Sequence, residues 1–384
     1  MIEVAGQGIS VKKTTFFKRV DWYLLLFVLP ITFAGLVTMQ SYGGTSDFFD
    51  RQLIWLSVAI LCFLFFSFID ISLLKNTKVL VIAYVICLSL IGFTFVGGHV
   101  ANGARSWISL GAFSLQPSDF IKITLILILA KYFSRRHIAI GQTKHLLISG
   151  AYALIPFTFI FLEPALGTAM IIGAIWLGMA LVAGIRKRHL AMLFGAGAII
   201  FTILWMFVLR PYQKARIETF INPFADIHGS GYNVRQAVIA VGSGELFGKG
   251  VGYGTQSRLR FLPEYQTDFI FAAFAEEWGF VGTLILLILY GLLLARIIYI
   301  GLHGASNFEM LFSGGVLILF LSHIIVNVGM NMGLLPVTGI TLPFMSYGGS
   351  HLLTEFTALG ILSSMHNYTR STHPEDLTKE FEGL

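Results

Sequence analysis

Four stretches of this chain are apolar over roughly the 20 residues that a helix needs to cross a bilayer. They cover residues 22–39, 53–69, 79–96 and 190–209. Of all 384 residues, 56% are hydrophobic and 12% are charged, whereas roughly a quarter are charged in an ordinary soluble domain. Together these features exclude a soluble globular protein and predict an all-α polytopic membrane protein.

Apolar runs bounded by charges or by Gly and Pro clusters predict about ten transmembrane helices. The predicted spans are residues 22–42, 52–70, 79–98, 119–134, 146–163, 166–184, 190–209, 268–299, 309–333 and 345–366. We predict a basic leader at residues 1–21, a single membrane domain at 22–368 and a tail at 369–384. Both cysteines lie within apolar runs, so the sequence predicts neither a disulfide framework nor a CxxC metal site.

Basic residues concentrate in every second short connection between the predicted helices. Because cytoplasmic loops carry the excess of Lys and Arg, this bias predicts that the leader and the tail are both cytoplasmic. The basic residues that give the net charge of +6 therefore lie mostly at the edges of the membrane, and we expect no nucleic-acid partner.

One connection, residues 210–267, is long, polar, glycine-rich and basic. It joins the seventh and eighth predicted helices and lies on the outer side, as a long loop without predicted structure. Its cations suit a pyrophosphate, because Arg binds phosphate oxygens in a bidentate manner and Lys binds them as a point charge. The alternatives are contacts with lipid headgroups and ion pairs with the acids of the loop. The cations are Arg210, Lys214, Arg216, Arg235, Lys249, Arg258 and Arg260.

Three acids lie at the ends of predicted helices, where charge is costly and often functional. Asp119 begins the fourth helix, Glu163 ends the fifth and Asp268 begins the eighth, so all three lie at the outer face. A helix N-terminus favours the anion of Asp268 and partial burial opposes it, which makes this residue a candidate base near neutral pH. The alternative is a helix cap beside a packing seam of small residues. That seam is Ala272, Ala275, Gly279 and Gly282.

Further acids of the eighth helix do not join Asp268. On a helical wheel Glu276 and Glu277 point in other directions, so a glycosidase-type carboxylate pair is disfavoured, and we expect both to make interhelical contacts. Lys122, by contrast, lies one helical turn after Asp119, close enough for an ion pair.

The glycine-rich stretch 242–256 lacks the spacing of a phosphate-binding loop and predicts glycine turns in a re-entrant loop. The histidines show no HExxH spacing. His323, Asn327 and Asn331 recur every four residues, and we expect them to hydrogen-bond to neighbouring helices.

Three long motifs carry a resemblance to a known family. They are NGARSWISLGAFSLQPSDFIKI, the run from YQKARIETF to FAEEWGF, and GMNMGLLPVTGITLPFMSYGGS. They resemble the SEDS family (shape, elongation, division and sporulation), and GTQ followed by RFLPEYQTDFIFA resembles the RodA branch more than the FtsW division branch. The match spans nearly the whole chain, and the family's ten-helix count agrees with the predicted spans.

The resemblance implies a peptidoglycan glycosyltransferase that polymerises lipid II outside the cytoplasmic membrane of a bacterium. The implied partners are lipid II, an undecaprenyl-pyrophosphate-linked glycan, membrane lipids, a crosslinking class B penicillin-binding protein and the elongation machinery. The family's catalytic aspartate falls on Asp268, and its functional acid and lysine fall on Asp119 and Lys122. Candidates for substrate binding are Lys214, Arg216, Arg258, Arg210, Arg105, Glu163 and Ser346.

The chain departs from the family pattern at three positions. Asp119 stands where a glutamate, one methylene longer, is usual. Ala165 replaces the acid of the usual PDLGT sequence, and Arg105 precedes Trp107 by two positions where the family has adjacent residues.

The implied reaction joins the growing glycan, activated as undecaprenyl pyrophosphate, to the sugar 4-hydroxyl of lipid II. It requires one base, positive charge for the departing oxygens, and alignment of two membrane-bound reactants. A divalent cation, Mg²⁺ or Mn²⁺, could bridge the carboxylate and the phosphates. Two alternatives are a lipid II flippase, for which polar residues near mid-bilayer would be expected, and a non-enzymatic scaffold for the penicillin-binding protein.

Overall fold

The computed structural model describes residues 20–41, 47–101, 104–110, 113–135, 143–163, 165–222, 229–259 and 261–371. Nearly all of the predicted leader, and the predicted tail from residue 372 onward, lie outside these ranges.

Helices dominate the described part of the chain, because a helix satisfies its backbone hydrogen bonds internally within lipid. The helices are α1 (Trp22–Ser41), α2 (Asp47–Ser67), α3 (Ile71–Leu74), α4 (Thr77–Gly97), α5 (Pro117–Ser134), α6 (Thr143–Leu162), α7 (Leu166–Val182), α8 (Lys187–Ile203), α9 (Pro211–Ile221), α10 (Ser230–Ser243), α11 (Thr255–Arg258), α12 (Ile270–Leu302), α13 (Asn307–Asn331) and α14 (Gly349–Ser371). A π-helical turn, Leu204–Val208, continues α8.

Each of the ten predicted spans coincides with one of these helices, which confirms the all-α class. Among the described residues, seven helices are long and apolar enough to cross a membrane: α1, α2, α4, α6, α8 with its π-helical turn, α12 and α13. The other three, α5, α7 and α14, are shorter or more polar, and the number of spans stays a prediction.

A small sheet lies between α4 and α5, where we predicted no regular structure. Its antiparallel strands are β1 (His99–Ala101), β2 (Ala104–Leu110) and β3 (Phe113–Leu115), in spatial order β1-β2-β3. His99 pairs with Trp107, and Ile108 pairs with Leu115. The strands are too short to produce a clear alternating pattern in the sequence.

The expectation of a structureless loop at 210–267 was wrong, because this segment contains α9, α10 and α11. Ala237 and Ala240 of α10 are fully buried and pack with Ala272 and Ala273 of α12. These small side chains let the two helices approach closely. The segment therefore forms a layer on the end of the bundle.

A break in α12 determines how this layer is attached. Gly279 has φ 65° and ψ −165°, so α12 consists of two helices joined at a kink. A Cβ atom there would lie 2.2 Å from the backbone nitrogen of Gly248. The close packing expected along the small residues of α12 is present, because Gly244 and the turn after α10 lie against Ala275 and Gly279, but the regular helical spacing of these residues ends at Gly279.

The segment between α13 and α14 returns into the bundle as non-helical backbone. Gly339 (φ 72°) and Phe344 (φ 61°) take left-handed conformations there. Buried side chains satisfy this backbone: Asn327 donates to the carbonyl of Ile340 at 2.7 Å, and Glu355 accepts the amide of Phe344 at 2.8 Å. Irregular backbone at membrane depth is stable where it is buried in this way or lines a cavity.

The kink makes a prediction about stability. Gly279→Ala should destabilise the protein by about 3 kcal/mol or more, since the conformation is almost exclusive to glycine and the methyl group would overlap backbone atoms. Gly291→Ala is the matched control, because it lies in the same helix with no atom within 4 Å of an added Cβ. Thermal unfolding of the purified proteins measures the difference. Equal melting temperatures for the two variants would contradict the kinked structure.

Candidate functional site

A cavity of about 450 Å³ opens where the sheet, the helical layer and the ends of several helices meet. Four of the predicted site residues line it: Asp119, Lys122, Arg216 and Asp268. They come from α5, α9 and the turn that precedes α12, so residues far apart in the sequence meet at one place. The cavity also exposes aromatic surface from Trp55, Trp107 and Tyr347.

Asp268 lies in the turn before α12, because that helix begins at Ile270 and not at Asp268 as predicted. Two fully buried asparagines hold its backbone, each donating its side-chain amide to the Asp268 carbonyl at 3.0 Å. These are Asn327 and Asn331 of α13, and Asn331 also accepts the amide of Ala272 at 3.1 Å. The predicted hydrogen bonds of this polar face are therefore present, but most run to irregular backbone rather than to neighbouring helices.

Ser346 belongs to the same support. Its hydroxyl donates to the carbonyl of Thr267 at 2.7 Å and accepts the amide of Leu342 at 2.8 Å. The side chain is buried and does not line the cavity. The structure thus places Ser346 beneath the Asp268 turn, where it positions the backbone.

The surroundings of Asp268 change its acidity. Burial has the largest effect and raises the pKa of Asp268, the negative charge of Glu264 also raises it, the positive charge of Arg216 lowers it, and together they bring this pKa to about 6. A carboxyl group with such a pKa is ionised at neutral pH and is a stronger base than an ordinary aspartate. Gly339 leaves space beside it, since an added Cβ would lie 3.5 Å from Asp268 Oδ2.

The predicted ion pair of α5 is present. Lys122 Nζ lies 2.8 Å from Asp119 Oδ1, and both side chains are almost completely buried. The hydroxyl of Ser350 donates to the other carboxylate oxygen, Oδ2, at 3.1 Å. Both oxygens of Asp119 are therefore engaged, and Asp119 and Lys122 line the cavity together.

Several cavity residues were missed by the sequence analysis as functional candidates. Arg51 of α2 and Glu264 bring charge to the wall, and His323 and His351 bring two imidazoles. The signal for His351 was its position immediately after the SYGGS sequence, four residues before Glu355. No sequence signal pointed to Arg51.

Other predicted binding residues do not line the cavity. Arg210 precedes α9, Lys214 lies 5.9 Å from the ring centre of Trp205, and Arg258 is exposed at the end of α11. Glu163 is buried and accepts a hydrogen bond from the hydroxyl of Thr94.

Arg105 falls within β2, but its side chain lies outside the described residues. The predicted Arg260 lies outside them as well.

One prediction for the long loop requires correction. Lys249, expected to suit a pyrophosphate, pairs with the buried Glu276 at 2.7 Å. The expected interhelical contacts of Glu276 are present, because it also accepts the backbone amides of Thr255 and Gln256 in α11. Glu277 accepts the amide of Gly252 at 2.7 Å. The expected glycine turns are present, with positive φ at Gly248, Gly250 and Gly252. Glu276 and Glu277 are buried on α12, and a buried carboxylate needs hydrogen-bond donors such as these because it has lost its hydration.

Within the described ranges, no group of three or more His, Cys, Asp and Glu side chains is arranged to hold a metal ion. Among the described contacts, two cavity carboxylates, Asp268 and Glu264, have no cation at ion-pair distance. One carboxylate together with substrate phosphates is a usual way to hold Mg²⁺. The residues therefore fit a cation shared with a phosphorylated ligand and not a preformed metal centre.

Comparisons with known proteins agree with this architecture. Residues 14–371 match the FTSW_RODA_SPOVE family model, described as "Cell cycle protein". The chain is 33% identical to the peptidoglycan glycosyltransferase MrdB of Escherichia coli K12, over 93% of this chain and 97% of that protein.

Two solved structures are also similar. A chain from a peptidoglycan synthase complex that coordinates polymerization and crosslinking has a TM-score of 0.79 and 29% identity, covering 92% of this chain and 99% of that one. The rod shape determining protein RodA of Thermus thermophilus has a TM-score of 0.69 and 29% identity, covering 92% and 98%. By sequence and by fold, this chain belongs to the FtsW, RodA and SpoVE family of cell cycle proteins.

Proposed function

We propose that this chain is a peptidoglycan glycosyltransferase of the RodA type, which polymerises lipid II into glycan strands during cell elongation. The observation that carries the proposal is one cavity in which Asp268, with its raised pKa, faces the cations Lys122 and Arg216. The names of the similar proteins support the same activity.

The chemistry needs one proton acceptor. The 4-hydroxyl oxygen of the acceptor sugar forms a bond to the anomeric carbon of the donor glycan, and the bond from that carbon to undecaprenyl pyrophosphate breaks. Asp268 takes the hydroxyl proton, and the bonding electrons leave with the pyrophosphate. Because pyrophosphate is already a good leaving group, a second catalytic acid is not required.

The cations stabilise the charge that develops on the departing oxygens. Lys122 and Arg216 border the cavity, and Arg51 lies on its wall. Arg presents a planar pair of donors to phosphate oxygens, whereas Lys offers a point charge. We assign Arg210, Lys214 and Arg258, which lie outside the lining, to the approach of the lipid headgroups.

A divalent cation is part of the proposal. Mg²⁺ or Mn²⁺ would be held by the pyrophosphate oxygens beside Asp268, whose carboxylate stays free to accept the hydroxyl proton. When bound, it would neutralise the negative charge of the phosphates.

The two ends of α5 support the orientation that we propose in the membrane. Asp119 lies in the first turn of α5, near the cavity. Lys131 lies 12 residues later, about 18 Å along the helix. At that opposite end Lys131 contacts the carbonyl of Lys75, so basic residues gather away from the cavity. Since Lys and Arg favour the cytoplasmic side, we place the cavity at the outer face of the bacterial cytoplasmic membrane and both termini inside.

A crosslinking partner fits the same scheme. The similar chain of known structure comes from a complex that coordinates polymerization with crosslinking. We propose that a class B penicillin-binding protein and the elongation machinery work with this chain, and that lipid II reaches the cavity from the bilayer.

Replacement of the base tests the proposal most directly. Purified Asp268→Asn protein should polymerise lipid II at least about 100-fold more slowly than wild type, since a positioned base contributes that much or more. Glu218→Gln removes an exposed carboxylate outside the cavity and should keep the wild-type rate. The length of the glycan product on gels is the measurement.

Two outcomes would favour the alternatives. Lipid II flipping by Asp268→Asn in vesicles, without polymerisation by the wild type, would indicate a transporter. Normal shape and wall synthesis in cells that carry only Asp268→Asn would indicate a scaffold.

The pKa of Asp268 predicts the pH dependence. The polymerisation rate should rise as the pH increases through about 6, because the base must be deprotonated, and should level off above it. Glu264→Gln removes a charge that raises this pKa and should move the midpoint to lower pH. Arg216→Gln should move it to higher pH. Midpoints that do not move in these opposite directions would show that another group titrates.

Chelation tests the cation. Polymerisation in EDTA should fall strongly and return on addition of Mg²⁺ or Mn²⁺, because the residues that the structure describes offer too few ligands to retain an ion without the phosphates. An undiminished rate in EDTA would remove the cation from the scheme.

A further inference from the structure

Behind the cavity wall lies a compact group of buried ionisable side chains, which we call the inner charge cluster. Its members are Asp119 and Lys122 of α5 and His351 and Glu355 of α14. All four side chains are at most 10% exposed. They surround a small void that also touches His323.

His351 connects the two acids of this cluster. Its Nδ1 atom lies 3.5 Å from Asp119 Oδ1, and its Nε2 atom lies 2.9 Å from Glu355 Oε1, an ion-pair contact. A neutral imidazole has one N–H group, whereas the imidazolium ion has two. Each nitrogen lies within ion-pair distance of a different carboxylate, and the imidazolium form of His351, with an N–H group on both nitrogens, suits this arrangement.

The other imidazole at this place has the opposite role. The His323 ring stacks on the His351 ring, with centres 4.9 Å apart and planes inclined by 25°. His323 Nδ1 donates to the carbonyl of Thr341 at 3.1 Å, and the buried Nε2 atom has no hydrogen-bond partner among the described residues, which suits the neutral ring with its proton on Nδ1. A second cation stacked on His351 would be repelled, so His323 contributes no charge.

The inner charge cluster is then electrically balanced. Two carboxylates, Asp119 and Glu355, meet two cations, Lys122 and His351. Uncompensated charge in a buried site is strongly unfavourable. Removing the His351 charge alone would leave a net negative charge, and the Lys122 ammonium group would be drawn toward two acids.

We propose that His351 is a positioning residue of the transferase, which neutralises Glu355 and supports Asp119 so that the Lys122 ammonium group remains available to pyrophosphate at the cavity wall. The inference rests on the proposed function, whose leaving group is a pyrophosphate. It also accounts for aspartate at position 119, where the longer glutamate is usual in the family that the motifs resemble. His351 and Ser350 extend from α14 to the Asp119 carboxylate, so the shorter side chain still makes these contacts.

A charge-balance experiment separates this role from simple packing. The variants are His351→Gln, Glu355→Gln and the double variant His351→Gln/Glu355→Gln, each nearly isosteric with the original side chains. Glutamine at 355 still offers an oxygen to the amide of Phe344, which Glu355 accepts at 2.8 Å. His303→Gln is the matched control, because His303 is an exposed histidine at the end of α12.

The first readout is the inhibition constant of inorganic pyrophosphate against lipid II polymerisation. His351→Gln should raise this constant by about tenfold or more, since an uncompensated negative charge lies close to the anion. Glu355→Gln should not raise it. The double variant restores neutrality and should return to within about threefold of wild type, which is a strong positive coupling.

The second readout is the melting temperature, which needs no activity. His351→Gln should lower it and the double variant should recover most of the loss, whereas His303→Gln should match wild type. A double variant as impaired as His351→Gln, or worse, in either readout would overturn the proposal, because lost packing cannot be restored by removing a second native side chain.

The proposed function and the positioning role of His351 can be overturned by different results. If the wild type polymerises lipid II and His351→Gln has an unchanged inhibition constant, the proposed function stands and the positioning role is overturned. If the wild type does not polymerise lipid II, the proposed function fails. Rescue of the melting temperature would then describe charge balance alone, and the assignment of His351 to the transferase would be overturned with it.

Discussion

The whole site depends on hydrogen bonds made by buried side chains to backbone that is not helical. The turn before α12 and the segment between α13 and α14 lie among membrane helices, where unsatisfied amides and carbonyls are costly. Asn327 and Asn331 bind the carbonyl of Asp268 in the first, and Asn327 also binds Ile340 in the second. Ser346 ties the two segments together through Thr267. These few contacts convert irregular backbone into a fixed cavity wall.

The two aspartates of that wall have different surroundings. The carboxylate of Asp119 is bound on both oxygens and balances Lys122, so it acts on structure and electrostatics. The carboxylate of Asp268 faces the cavity, where burial and Glu264 make it more basic. Two aspartates of one cavity thus differ in their contacts and in their acidity because their neighbours differ.

Patterns that repeat locally could be predicted from the sequence, and contacts between distant segments could not. The apolar runs gave all ten predicted helices, and the spacing of Asp119 and Lys122 gave their ion pair. The helices of the long loop were not predicted, because the segment is rich in glycine and charge and has only one narrow apolar face, that of Ala237 and Ala240. Lys249 was assigned to phosphate because nothing local indicates its partner, Glu276, on another element. The spacing of His351 and Glu355 was visible, but not that Asp119 lies beside them.

Asn327 and Asn331 hold Asp268 by its main-chain carbonyl. Gly339 adds no side chain beside the carboxylate, and a Cβ atom there would already touch Oδ2 at 3.5 Å. Anchoring through the main chain does not occupy the lone pairs of the carboxylate oxygens, so the residue can be fixed in place while both oxygens stay open to a molecule that enters from outside.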